Sequence, residues 1–196
     1  MNSLIFIGIL SSLAVTTSGQ ELVCRNFTGK SDLDIKRFYN GRWYLTNLEH
    51  TVASNSRSIC VQTKNDVQED GTVNHYLSVY DQLRKIKYET FHCTTNMKDI
   101  VDGKAIFSCD EKKAQRVEKF TVEATVVETD YDSYGVFHFC SKIGNTVTGS
   151  DILIMHRALD SKPTDPKLLD LLKSYDLDIN SFKSRQDEEC KDDPDF

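Results

Sequence analysis

The stretch Tyr39-Asn40-Gly41-Arg42-Trp43-Tyr44-Leu45-Thr46 holds a turn and the start of a strand within eight residues. Asn40-Gly41 is a turn signal, because both residues accept a positive φ at little steric cost. After it, Trp43 and Leu45 alternate with Arg42, Tyr44 and Thr46, the period-two pattern of a strand with one buried face. Just upstream, residues 32–39 read as a short amphipathic turn that ends at Asn40-Gly41.

Strand-like segments follow one another downstream. They cover residues 42–49, 59–67, 72–80, 85–93, 104–109, 120–128, 135–142 and 151–156. Polar turns separate them, among them Glu69-Asp70-Gly71, Asp102-Gly103 and residues 145–149. Eight strands rich in Val, Ile, Phe, Tyr and Thr predict an all-β fold, an eight-stranded antiparallel up-and-down barrel. Closure removes the exposed sheet edges. With eight strands, the interior has room for side chains or one small ligand. The period changes at residues 166–173, which read as a C-terminal α-helix packed outside the barrel, with Asp165 as cap and Pro166 in its first position. Residues 187–196 form an acidic tail tied down by Cys190.

The length of 196 residues fits one domain. Residues 1–19 combine an apolar run at 4–10 with small residues Thr17-Ser18-Gly19, although no Lys or Arg precedes the run. They read as a cleaved signal peptide, too short for a membrane span, so the domain is residues 20–196 and the protein is secreted. Cys24, Cys60, Cys93, Cys109, Cys140 and Cys190 all lie beyond the cleavage point. In an oxidising compartment they imply three disulfides, with the pairing left open by spacing alone. No cysteine–histidine cluster has zinc spacing, so no metal is expected. The net charge of −6 disfavours nucleic acid and anionic membranes as partners and mildly favours cationic ligands. Asn26-Phe27-Thr28 is a glycosylation sequon. G-x-S-x-G, H-E-x-x-H and phosphate-loop motifs are absent, and the five histidines have no nucleophile at readable spacing. A binding protein is expected rather than an enzyme.

Three motifs now fall in order: Gly41-Arg42-Trp43 at the first strand, Thr129-Asp130-Tyr131 with Tyr134 at the turn after the sixth, and Arg157 after the eighth. Together they resemble the signature regions of the lipocalin family. The resemblance implies that Trp43 plugs the closed end of the barrel and that Arg157 lies across its ring. Residues 39–46 and the block 76–88 are similar to the salivary lipocalins of blood-feeding triatomine bugs. That group includes nitrophorins, platelet-aggregation inhibitors, leukotriene binders and, most like this chain, the biogenic amine-binding protein. It implies a salivary monomer with disulfides Cys24–Cys140 and Cys60–Cys190, which leaves Cys93 with Cys109. Nitrophorins hold heme on a strand histidine, and that position falls here on Val79. His75 is four residues deeper, so no heme and no other cofactor is expected.

Side-chain alternation then gives an expected bore. Leu45 and Asn47 face inward and run towards Glu49 and His50 at the mouth. Leu77 and Val79, Tyr88 and Thr90, Phe120, Val122, Ala124 and Val126, and Phe137, Phe139 and Ser141 line the remaining wall. Glu49 is the first candidate for a counter-ion to a ligand ammonium. Asp81 is an alternative, and Glu89 another if its strand has the opposite register. The expected ligand is a biogenic amine such as serotonin or norepinephrine. Sequestering it would oppose vasoconstriction and platelet aggregation. An eicosanoid held by Arg84 or Lys85 is the second reading, and a protein-binding haemostasis inhibitor with a filled barrel is the third. An insect pigment or lipid carrier is a fainter fourth.

Overall fold

A computed structural model describes residues 22–51, 58–81, 86–111 and 119–196. The expected signal peptide at residues 1–19 and the expected anion contacts Arg84 and Lys85 lie outside them. A four-residue helix α1 (Ile35–Phe38) is capped by Asp34, whose carboxylate accepts from the Arg37 backbone N–H at 3.0 Å. The chain then turns at Gly41, where φ is +74°. That left-handed conformation is cheap only without a Cβ, which explains the glycine of the G-x-W motif.

Eight strands follow: β1 (Gly41–Leu48), β2 (Val61–Val67), β3 (Thr72–Asp81), β4 (Ile86–Asn96), β5 (Lys104–Glu111), β6 (Phe120–Thr129), β7 (Tyr134–Ile143) and β8 (Thr146–His156). Each pairs antiparallel with the next. β1 also pairs with β8 and closes the ring. Because β1 leaves β2 after Tyr44, a two-residue strand β9 (Lys183–Ser184) pairs with Asn47 and Leu48 outside the ring of eight. The expected turn at 145–149 is shorter: Asn145 lies in it, and residues 146–149 are part of β8. Gly144 (φ +57°) and Asn145 make a two-residue hairpin turn, and Thr146, Val147 and Thr148 suit a strand.

Apolar side chains collect on both sides of the wall. Inside, Phe38, Tyr39, Trp43, Phe107 and Val126 fill the closed end. Outside, Leu168 and Leu172 of helix α2 (Pro166–Ser174) cover Val136, Ile152 and Ile154 together with Phe27. Asp165 caps α2 by accepting from the backbone N–H groups of Lys167 (2.8 Å) and Leu168 (3.3 Å).

The three motifs meet at the closed end. Arg157 lies 3.6 Å above the Trp43 ring and donates to the carbonyls of Asn40 (2.7 Å), Arg42 (2.8 Å), Tyr131 (3.1 Å) and Arg37 (3.2 Å). Asp130 orders the β6–β7 turn by accepting from the backbone N–H groups of Ser133 (2.8 Å) and Tyr134 (2.9 Å).

The disulfides are Cys24–Cys140, Cys60–Cys190 and Cys93–Cys109. The first holds the N-terminal segment against β7. The third joins cross-strand partners of β4 and β5. The second anchors the C-terminal tail, where Ser78 Oγ donates to Asp193, Tyr88 Oη donates to the Asp192 carbonyl, and Arg185 grips the Asp192 carboxylate.

Candidate functional site

The barrel is hollow, with a cavity of about 360 Å³. That volume lies within the range of small-molecule sites. The wall follows from cross-strand pairing, since partner residues share a face. On β3, His75, Leu77 and Val79 line the bore, and their partners on β2 include Thr63 and Val61. Across β3, Phe91 pairs with Leu77 and Glu89 with Val79, so both face inward. Tyr88 points the other way, to the tail, and the expected inward pair Tyr88–Thr90 is corrected to Glu89–Phe91. Burial decides the register: Phe91 meets Phe120 edge-to-face at 6.0 Å and Cys93 is 3% exposed. Val122, Ala124, Phe137, Phe139 and Ser141 lie on the lining as alternation predicts.

β1 departs from its expected face halfway along. Leu45 lines the bore and pairs with Met155, but Asn47 pairs with Ile154, so Thr46 is an extra residue. Its hydroxyl donates to the Ile154 carbonyl at 3.1 Å and lies 2.7 Å from His156 Nδ1. Such a bulge reverses the alternation beyond it. Leu48 therefore takes the inner face, and Asn47 and Glu49 take the outer one. Glu49, 7% exposed, sits beneath the N-terminal segment. Arg25 grips both its oxygens, the Nη1–Oε1 distance being 2.8 Å, and the Ile152 backbone N–H donates to it at 3.1 Å. Its charge is committed to an ion pair outside the barrel, so the counter-ion expected there is not in the bore.

Two carboxylates occupy the inner face instead. Glu89 is part of the lining, and Asp151 shares the face of Phe139 by register, fully buried, with its Oδ1 accepting from Thr51 Oγ1 at 2.9 Å. Asp151 escaped the sequence reading. Its parity with Leu153 and Met155, both on the lining, is the signal that could have found it. No Lys or Arg is found in the lining among the described residues. The side chain of Asp81 lies outside the described residues. His50 is exposed, as is the sequon residue Asn26, whose Oδ1 accepts from Lys104 Nζ at 2.9 Å.

The deep end of the bore is polar on one side. His75 Nδ1 hydrogen-bonds Asn65 Oδ1, and the ring lies between Phe107 (6.0 Å) and Phe137 (6.5 Å). Burial pushes its pKa down to about 4, so the imidazole is neutral at physiological pH. These residues do not fit a heme. His75 is the histidine on the described lining, it is wedged at the floor with Nδ1 engaged, and Val79 stands nearer the mouth.

Comparison with known proteins agrees with this architecture. The Nitrophorin family model matches residues 24–196. Triafestin-1 of Triatoma infestans is 28% identical over 204 residues, covering 98% of this chain and 94% of that protein. Among solved structures, the tryptamine complex of the amine-binding protein of Rhodnius prolixus superposes with a TM-score of 0.74 at 18% identity, over 88% of this chain and 91% of that one. The LTBP1–LTC4 complex superposes with a TM-score of 0.55 at 21% identity, over 80% and 88%.

Proposed function

We propose that this chain, which belongs to the nitrophorin family, is a secreted salivary binding protein whose bore sequesters a small amphiphilic cation, a biogenic amine first of all. The supporting observation is an apolar cavity with Glu89 on its wall and no Lys or Arg on its described lining. Leu45, Leu77, Val79, Val122, Phe137 and Phe139 would cover the ligand's hydrocarbon. Glu89 replaces Glu49 and Tyr88 as the charged and polar contact, and Asp151 is the second carboxylate on the inner face. A carboxylate about 4 Å from an ammonium gains roughly 4 kcal/mol at an effective dielectric near 20, before desolvation. Aromatic faces such as Phe91 and Phe120 add cation–π attraction. The tryptamine ligand of the Rhodnius prolixus protein, which shares this fold, is an amine of the same chemistry. The activity is mass-action binding by a monomer, without catalysis. It would lower free serotonin or norepinephrine and so oppose vasoconstriction and platelet aggregation.

Calorimetric titration with serotonin, norepinephrine, a cysteinyl leukotriene and ADP tests this. The expected result is micromolar or tighter amine binding that weakens in Glu89→Gln. Tight eicosanoid binding with no amine heat overturns it in favour of the second reading, an eicosanoid carrier. The near-continuous apolar wall and the fold shared with the LTBP1–LTC4 complex support that alternative.

A further inference from the structure

The deep end of the bore is asymmetric in its hydrogen bonding, and the asymmetry is fixed by Asn65, which stands outside the lining. Asn65 Nδ2 donates to the Gly41 carbonyl (3.2 Å) and to Thr63 Oγ1 (3.2 Å). The Gly41 carbonyl can only accept, and the Thr63 hydroxyl gives its proton to the Trp43 carbonyl, so the amide orientation is determined and Asn65 Oδ1 is left as an acceptor. His75 Nδ1, bonded to that oxygen, therefore carries the proton. In a neutral imidazole the other nitrogen, Nε2, then presents a lone pair. Nε2 has no hydrogen-bond partner among the described residues, and His75 keeps some accessible surface although it sits deep in the barrel, because its ring lines the cavity. Across Phe107, which both rings touch (5.7 and 6.0 Å), stands Tyr39. Its side chain is 2% exposed, lines the same cavity, and its phenol has no partner among the described residues. Leaving such groups unpaired in an apolar cavity is costly, and a ligand recovers that cost by pairing with them.

We infer that the floor of the bore is a polar subsite that selects ligands whose buried end carries an O–H or heteroaromatic N–H donor, accepted by His75 Nε2, with Tyr39 Oη as a second partner. This rests on the bore being a ligand site and narrows the amine class. A ring hydroxyl or indole N–H is favoured over a bare phenyl ring, and the ammonium is left at the carboxylate end. His75 and Tyr39 thus determine specificity, and Asn65 positions the imidazole and fixes its tautomer.

The test compares matched probes by calorimetry: tyramine against phenethylamine, and, without any charge, 2-naphthol against 2-methylnaphthalene. The wild-type protein is expected to prefer the hydroxylated member of each pair about 10- to 100-fold. The preference should fall to threefold or less in His75→Leu, and partly in Tyr39→Phe, which removes one oxygen and little packing. Thermal melting checks that each variant is folded. If His75→Leu does not fold, Asn65→Leu, which frees the tautomer, and Tyr39→Phe carry the comparison. Equal affinities within both pairs in the wild-type protein overturn the inference, as does a preference that persists undiminished in every folded variant. A naphthol preference without amine binding upholds the floor and removes the amine reading. Amine binding without any hydroxyl preference does the reverse. Failure of all four probes to bind removes both.

Discussion

Exchanging a single carboxylate for its amide should have opposite consequences at Glu49 and Glu89. Glu49 lies outside the barrel, 7% exposed, held by both guanidinium nitrogens of Arg25 and by the Ile152 backbone N–H. The Arg25 side chain is 35% exposed, so water screens the pair in part. Breaking a fully buried pair costs about 3–5 kcal/mol and an exposed one up to about 1. Glu49→Gln keeps an acceptor for Ile152 and loses the charge, which puts the cost at about 1–3 kcal/mol. For a domain of this size, Tm should fall by about 2–4 °C for each kcal/mol. Amine affinity should stay within about twofold, because the lost charge faces away from the bore. Glu89→Gln should give the converse in binding: amine affinity reduced roughly 10- to 150-fold, equivalent to about 1.5–3 kcal/mol for a hydrogen bond to a charged group. Urea unfolding and calorimetric titration of both variants give the two readouts. A Glu49→Gln protein that is as stable as wild type and has lost its amine refutes the placement of Thr46 as a bulge.

Three other outcomes follow from the geometry. Arg157→Ala should cost about 2–4 kcal/mol in urea unfolding, since it removes the cation over Trp43 and four carbonyl contacts. Arg157→Lys should recover less than half of that, for want of the guanidinium fork. Replacing Cys93 and Cys109 together by alanine should cost about 3 kcal/mol from the freed loop, whose ends are 16 residues apart, measured as a lower urea midpoint with and without reductant. Acid should destabilise the protein through His75 and His138, both lowered to about 4, the first by burial and the second by burial and then Arg25. As the pH falls below about 6.5 the unfolded chain takes up protons that the folded one refuses. Stability is therefore lost between about pH 6.5 and 4, on the order of 3 kcal/mol for each residue, and a urea midpoint that is flat across that window contradicts the burial of both rings.

The strand order, the external helix and the closing motifs were legible because each has a one-dimensional signature. Alternation marks the strands, Asp165-Pro166 marks the helix start, and Gly41, Trp43 and Arg157 recur at set strands. Two faces of the bore were not legible. On β1, Leu45, Asn47 and Glu49 keep a clean period of two, and nothing in the residue types announces that Thr46 will be squeezed out by its hydroxyl's bond to Ile154. On β4, Tyr88 and Thr90 compete with Glu89 and Phe91 for the interior. Only the register against Leu77 and Val79 on the preceding strand β3, which alternation does not supply, settles it. Asp151 was missed because it opens the expected eighth strand beside a Thr-Gly-Ser run: its parity with Leu153 and Met155 points inward, and its pairing with Phe139 fixes that direction. Tyr39 sits in the helical turn before the barrel, where strand parity has nothing to say.

The last fifteen residues do more than trail from the barrel. Arg185 donates to the Val61 carbonyl (3.3 Å), Cys190 is bonded to Cys60, and Asp193 accepts from Ser78. β1, meanwhile, has to wait for β8 and β9 before its second edge is met. During synthesis, then, the first strand leaves the ribosome with half its partners not yet translated. The seam beside it is latched only when residues 185–193 have been made, so a chain that stops before Arg185 would emerge with its clasp missing.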